Sequence, residues 1–408
     1  MRLSRRSLLG SAAVLGAAIM PFAAPRAQAS TMKIGVLTDM SGPYQDLAGP
    51  GSIAATQLVA SEFMANNPGV RVEVVSADHQ NKADIAAGVA RQWFDRDGVD
   101  LVIDLSNSAV ALAVSGIGRD KNKAVIATGA ASSDLSGKAC NANTIHWVYD
   151  TYMLAKSTGG AMVKAGGDSW FFVTADYAFG HALERDVSEF VKNAGGKVTG
   201  SVRTPFPGTT DFSSFLIQAQ ASRAKVLGLA NAGTDTINCI KQAKEFGITM
   251  KVAGLLVFIA DVHALGLDVC QGLILSESFY WDLNDQTRAF SNRYSPRMQG
   301  KRPSMVQAGN YSSVLHYLKA AKEMGYAAAK ADGAGIIAKM KTMPAEDECF
   351  GKGLIREDGR KIHPSYLFEV KKPSESKGAY DYYKTLASTP AEEAFRPLGA
   401  GGCSLVKA

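Results

Sequence analysis

The chain has 408 residues, with 44 basic and 38 acidic side chains and a formal net charge of +6 at neutral pH. Residues 1–29 hold Arg2, Arg5, Arg6 and Arg26 and no acid, so the remainder carries 40 basic against 38 acidic residues, close to balance. Its lysines lie among acids, which excludes the basic patch that nucleic-acid binding needs, and about 379 residues exceed what one core usually serves, so two lobes are expected.

Ser4-Arg5-Arg6-Ser7-Leu8-Leu9 reads as a twin-arginine pattern, followed by an apolar run from Leu8 to Met20. That run is shorter than the about 20 residues that span a bilayer. Pro21 breaks it, and Ala27-Gln28-Ala29 offers the small-x-small site of a signal peptidase. Residues 1–29 are therefore expected to be a cleaved signal, by the twin-arginine or the general secretory route. No cysteine stands near the site for lipid attachment. The five cysteines then meet an oxidising compartment, and an odd count leaves at least one unpaired. Cys140 and Cys403 lie in polar, glycine-containing stretches and are the expected disulfide. Cys239 and Cys270 sit in apolar patterns that suit buried thiols.

From Lys33 onward short β-rich runs alternate with helical patterns. Lys33–Thr38 is followed by a helix within 51–66, a strand at 70–77 and a helix over 82–95. Leu101–Asp104, a helix from Ser108 to about Arg119, and a strand at 124–128 continue the series. It restarts at 170–174, with a helix over Ala178–Asn193 that Gly195-Gly196 stops. Strands at 197–202, Val226–Ala230, 251–255 and 273–276 enclose helices after Asp211 and over 234–246. Helices around 285–298 and 306–324 return to the first lobe, and strands at 354–356, 366–370 and 382–386 close the chain. Strand and helix in alternation predict an α/β fold of two doubly wound, mostly parallel sheets. Segments near 144–151 and 277–281 cross between the lobes and form a hinge. The cleft between them is where such proteins bind small ligands.

Enzyme motifs are missing. Gly42 and Gly49-Pro50-Gly51 have the wrong spacing for a dinucleotide loop, and Gly116-Ile117-Gly118 lies within a helical run. There is no GxSxG, Walker or HExxH pattern, and no Cys/His spacing for a metal. The six histidines are scattered singly; His79 and His181, near strand ends, can touch a ligand or sit in core or solvent. No nucleophile–base pair assembles. The expectation is no catalysis, no cofactor and no metal.

Ile34-Gly35-Val36-Leu37 with Ser41-Gly42-Pro43, Ser76-Ala77-Asp78, Lys82-Ala83-Asp84, Ser106-Asn107-Ser108 and Thr128-Gly129-Ala130-Ala131-Ser132 follow in order. Asp176-Tyr177-Ala178-Phe179-Gly180 and Asp211-Phe212-Ser213-Ser214 follow in the second half. Together these residues resemble the type I periplasmic solute-binding proteins of ABC importers, the branched-chain amino-acid (Leu/Ile/Val) binding family. The resemblance covers nearly all of 32–408. It implies two doubly wound lobes with three hinge crossings, the type I periplasmic binding protein fold. On that fold, lobe 1 is expected at 30–148 and 277–362, and lobe 2 at 149–276 and 363–408. It also implies a monomer in the periplasm that closes on a small molecule and delivers it to an inner-membrane ABC permease. A ligand sensor for a membrane receptor, or an enzyme on the same scaffold, are the alternatives.

The resemblance places candidate ligand contacts along the cleft. Ser108 opens a helical run and reads first as an N-cap, but free N–H groups and the positive helix end there suit a carboxylate. The family's serine at this place binds the ligand carboxylate, so Ser108 with Asn107 is the expected anchor. Ala130, Ala131 and Ser132 allow close backbone approach, the family's hydroxyl falling on Ala131 or Ser132. Tyr44, Tyr177 and Phe179 are candidate aromatic walls, and Trp281 either lines the cleft or packs the hinge. The chain departs from the family in two places. Where the family's ammonium-binding acid is due, just after Gly254, it reads Leu255-Leu256-Val257, and a family aromatic falls within Asn231-Ala232-Gly233. An unpaired buried ammonium costs several kcal/mol. Unless Asp176 or Asp235 substitutes, the pocket favours a small carboxylate with an apolar or aromatic body, or a neutral amide, over a standard amino acid.

Overall fold

The computed structural model describes residues 30–407. Five parallel strands build the first sheet: β1 (Ser30–Thr38), β2 (Val70–Asp78), β3 (Leu101–Asp104), β4 (Ala124–Ala127) and β5 (Thr144–His146), in the order β2-β1-β3-β4-β5. Every residue of β3 and β4 is buried, because helices cover both faces of the sheet. Alternate residues serve the two faces. Ile34, Val36, Leu101, Ile103 and Ile126 join the helices Gly49–Asn66 and Met305–Met324 on one side. Leu37, Val102 and Val125 join the helices Ala83–Gln92 and Ser108–Asp120 on the other.

The second lobe repeats the plan with β6 (Ser169–Ala175), β7 (Lys197–Thr204), β8 (Val226–Ala230) and β9 (Lys251–Gly254), in the order β7-β6-β8-β9. Trp170 and Phe172 face Leu183, Val187 and Val191 of the helix Ala178–Asn193. Phe171, Val173, Leu227 and Leu229 face the helices Ser213–Ala221 and Thr234–Glu245. Beside this lobe, β10 (Ile274–Glu277) begins a small antiparallel sheet. After a hairpin-like β11 (Ala345–Asp347), β12 (Gly351–Ile355) and β13 (Lys361–Ile362), that sheet is completed by β14 (Ser365–Val370) and β15 (Tyr383–Thr389).

In each parallel sheet the strand order reverses beside its first strand, between β1 and β3 and between β6 and β8. The carboxyl ends of these strands splay apart there and leave a crevice for a ligand. The crossing segments hold the two crevices face to face. Val148 O accepts from His363 Nε2 at 2.6 Å, and Tyr149 O accepts from Arg360 at 3.2 Å. Arg360 is fully buried with Asp150 at 3.6 Å, and burial pulls its basicity down to about 10, so it stays charged at neutral pH.

Several elements depart from the sequence expectations. The first crossing segment contains a true strand, β5, and helices at Ile259–Leu265 and Gly333–Thr342 were not anticipated. Cys140 and Cys403 form the expected disulfide, and Cys239, Cys270 and Cys349 are buried free thiols. The tail expected in lobe 2 touches the segment expected in lobe 1 through the Cys140–Cys403 bond and through Arg396 donating to Ser133 O at 2.8 Å. The expected signal at 1–29 lies outside the described residues. Among the described residues no helix is long and apolar enough to cross a membrane.

Candidate functional site

The two switch points enclose one cavity. Lobe 1 supplies Tyr44 and Leu47 after β1, Ser106 and Ser108 after β3, and Gly129 and Ala131 after β4. Lobe 2 supplies Tyr177 and Phe179 after β6, Ala232 after β8, and Leu256 and Phe258 after β9; Tyr149 comes from the hinge. The atoms enclose about 230 Å³, of which a water's centre can reach only about 10 Å³, roughly the room for one water. The lobes are closed on one another with room for about one water, so a larger ligand must part them to enter and hold them further apart than they stand here.

Ser108 is the cavity's polar centre, though not as an N-cap. Asn107 caps the helix, its Oδ1 accepting from Ala109 N at 2.9 Å and Val110 N at 3.1 Å, while its Nδ2 donates to Asn81. The preceding asparagine therefore leaves the serine free, while both ends of the Asn107 amide are engaged within its own lobe. Ser108 Oγ accepts from the backbone N–H of Ala131 at 3.3 Å and of Ser132 at 3.1 Å. A hydroxyl has two acceptor sites and one proton, so the proton is what Ser108 has left to offer. Ser106 lies beside it, its Oγ accepting from Asp39 N and paired with His79 Nε2, both at 3.2 Å.

Gly129 fixes the floor. A Cβ there would lie 2.8 Å from Asp104 Oδ1 and 2.8 Å from Ser106 Cα, and its carbonyl accepts from the Tyr149 hydroxyl at 2.6 Å. Beneath it Asp104 is wholly buried and its Oδ1 has no partner, so burial pushes its carboxyl up to about 7. The wall opposite is aromatic and crosses the cleft. Phe206 is stacked between Tyr44, with centroids 5.4 Å apart, and Tyr177, 4.4 Å away, and the two phenols meet at 2.6 Å. Burial holds both phenols well above their usual range, so they stay neutral. Thr234 N donates to Pro43 O at 3.3 Å across the same seam. Gly233, at φ +59°, makes room for it, since a Cβ would sit 2.2 Å from Pro43 O.

Six of the expected residues thus meet at one cavity: Tyr44, Ser108, Ala131, Tyr177, Phe179 and Leu256. The others do not line it. Ala130 turns its carbonyl to His146 Nε2, and Ser132 caps a 3-10 turn by accepting from Asp134 N. Asp176 is exposed and paired with His181 at 2.8 Å, because it sits one residue past the strand on the solvent side. Asn231 is buried but turned into its own lobe, accepting from Thr236 and donating to Cys239 Sγ. Trp281 packs the hinge, its Nε1 donating to Tyr380 O under the Arg302 guanidinium. His79 is core, and burial lowers it to about 4. Asp235 is buried beside Tyr44 and Tyr177, with Oδ2 unpartnered and its carboxyl pushed up to about 7, yet it does not border the cavity. Ser106, Gly129 and Ala232 also line the cavity from the loops after strands, Leu47, Tyr149 and Phe258 line it because only the folded chain brings them there, and Phe206 stands behind the aromatic wall.

A family model described as periplasmic binding protein matches residues 31–379. A periplasmic binding protein from Burkholderia mallei is 50% identical with a TM-score of 0.89, covering 93% of this chain and 100% of that one. A branched chain amino acid ABC transporter periplasmic ligand-binding protein from Burkholderia xenovorans is 41% identical with a TM-score of 0.79, covering 92% and 99%. The Leu/Ile/Val-binding protein homolog 6 of Brucella melitensis is 26% identical over 262 residues; the match spans 62% of this chain and 66%, just under two thirds, of that relative's length. A Rhodopseudomonas palustris ABC-transporter solute binding protein in complex with benzoate shares the fold, at 20% identity and a TM-score of 0.80, covering 92% and 100%. Two facing switch points joined by a hinge, and a family match along most of the length, lead to one statement: the chain belongs to the periplasmic binding protein family.

Proposed function

We propose that this protein is the periplasmic substrate-binding component of an ABC importer, which captures a small carboxylate with an apolar or aromatic body and presents it to an inner-membrane permease. The observation that carries the ligand class is the cavity lining: none of its twelve residues carries a charge. A ligand ammonium enclosed there would meet phenols and aliphatic carbons. Asp235, the acid beside the aromatic seam, is pushed up to about 7 and stands behind the wall. Enclosing an unpaired charge costs several kcal/mol.

A carboxylate fits better. Ser108 and Ser106 both line the cavity, and the positive end of the helix Ser108–Asp120 favours an anion beside Ser108. Phe179, Leu256, Phe258 and Leu47 supply the apolar remainder, which at about 25 cal/mol per Å² rewards a hydrocarbon or ring. The Rhodopseudomonas palustris solute binding protein in complex with benzoate, which shares this fold, supports the reading. Ligand entering the open cleft gains the second wall only on closure, so it shifts the hinge equilibrium towards the closed form. The importer role rests on family membership and on relatives that belong to ABC transporters.

The test is a thermal-shift panel of aromatic and branched aliphatic carboxylates, amides and amino acids. A melting temperature raised by carboxylates, with compaction in X-ray scattering, supports the reading. A panel in which no small molecule moves the melting curve overturns it.

A further inference from the structure

A second, larger crevice also lies between the lobes, outside the aromatic seam. It holds about 470 Å³, within the range of small-molecule sites. Lobe 1 lines it with Gln45 and Asp46, from the loop that carries Tyr44, and with Arg297, Lys301 and Arg302 after the helix Asp285–Tyr294. Lobe 2 contributes His263 and Tyr380, whose rings are stacked at 4.4 Å. Three permanent cations thus face one acid in a protein whose charge beyond residue 29 is otherwise near balance.

Those cations have little else to do. Arg302 lies over the Trp281 ring at 4.1 Å and donates to Asn292 and Ser295, so its guanidinium is held in place without a carboxylate. Among the described residues Arg297 has only a 3.4 Å contact with Ser61 Oγ. Lys301 and Asp46 are 3.6 Å apart and largely exposed, a pairing worth little in water. The Arg302 guanidinium, fixed by packing but lacking a carboxylate, suits bidentate recognition of an oxyanion, with the exposed Arg297 and Lys301 adding charge beside it.

We propose that this crevice binds a small, multiply charged oxyanion, a polycarboxylate or a phosphate, at a site separate from the cleft cavity. Its walls come from both lobes, so the anion binds the closed form. By linkage it also favours closure.

The experiment is calorimetric titration of the protein with citrate and, separately, with inorganic phosphate, at fixed ionic strength and without any cleft ligand. Saturable one-to-one binding is expected for at least one of them, the better binder distinguishing polycarboxylate from phosphate. Arg297→Gln and Lys301→Gln change exposed side chains and should fold normally; each is expected to weaken binding about tenfold, about 1.4 kcal/mol. Ser108→Ala, in the cleft cavity, should leave the anion affinity unchanged, which separates this site from the proposed carboxylate pocket. The proposal is overturned if millimolar anion gives no saturable binding, or if Arg297→Gln and Lys301→Gln have no effect. It is equally overturned if only an acidic peptide binds, which would make the crevice a protein-docking surface.

Discussion

The hydroxyls of Tyr44 in lobe 1 and Tyr177 in lobe 2 meet at 2.6 Å across the cleft. The pair is partly buried, and Phe206 is stacked between their rings. The pair is therefore a contact of the closed form, with a measurable share in the hinge equilibrium. Replacing one tyrosine by phenylalanine leaves the other hydroxyl unpaired, at a cost of about 1–3 kcal/mol to closure, whereas replacing both should cost less than the sum. X-ray scattering of Tyr44→Phe, Tyr177→Phe and the double variant reads this out as the fraction of compact molecules. Additive effects would show that the phenols do not interact.

Gly129→Ala should both destabilise the protein and damage the cavity. The new Cβ meets Asp104 Oδ1 and Ser106 Cα at 2.8 Å, and overpacking of this kind costs about 1–3 kcal/mol. A variant that melts with the wild type would mean that the floor is more pliable than its geometry implies.

Asp104 should make stability fall with pH over a defined window. Its carboxyl is raised by burial to about 7, against about 3.9 in an unfolded chain. Between those values the folded state holds more protons than the unfolded state, so the group's contribution is complete below about pH 4 and lost as pH rises through about 7. Buried histidines such as His79, lowered to about 4, pull the opposite way below about pH 6.5. The clean observable is thus the difference between Asp104→Asn and wild type. The variant's advantage in melting temperature should grow from about pH 4 to about pH 7 and then level off. A pH-independent difference would contradict the assignment.

The Cys140–Cys403 bridge should hold the carboxyl-terminal tail against lobe 1. Alkylation of unfolded, unreduced protein should tag three thiols, those of Cys239, Cys270 and Cys349, and five after reduction. Replacing both bridged cysteines by serine should lower stability by about 2–4 kcal/mol. Five tags without reduction would rule the bridge out.

Strand–helix alternation made both parallel sheets and the two facing crevices legible in the residues. The runs Leu101–Asp104 and Ala124–Ala127 are continuous because both faces are covered. Helices such as Gly333–Thr342 were less visible, since a short apolar pattern does not by itself separate helix from loop. At the site, residues immediately after strands were legible, and Tyr44, Ser108 and Phe179 are examples. Tyr149 and Phe206 were not, because the hinge and a long loop deliver them by tertiary packing alone. Side-chain direction was also hidden. Asn107 and Ser108 are adjacent, yet one caps the helix while the other faces the cavity, and only hydrogen-bond partners distinguish them.

The central claim is that the cavity accepts a carboxylate without an ammonium. Calorimetry with matched pairs, 4-methyl-2-oxopentanoate against leucine and 3-phenylpropanoate against phenylalanine, tests it on one protein preparation. The account predicts that at least one acid lacking the ammonium binds tenfold or more tightly than its amino partner, and that Ser108→Ala weakens it. Leucine or phenylalanine binding as tightly as the matched acid would contradict it.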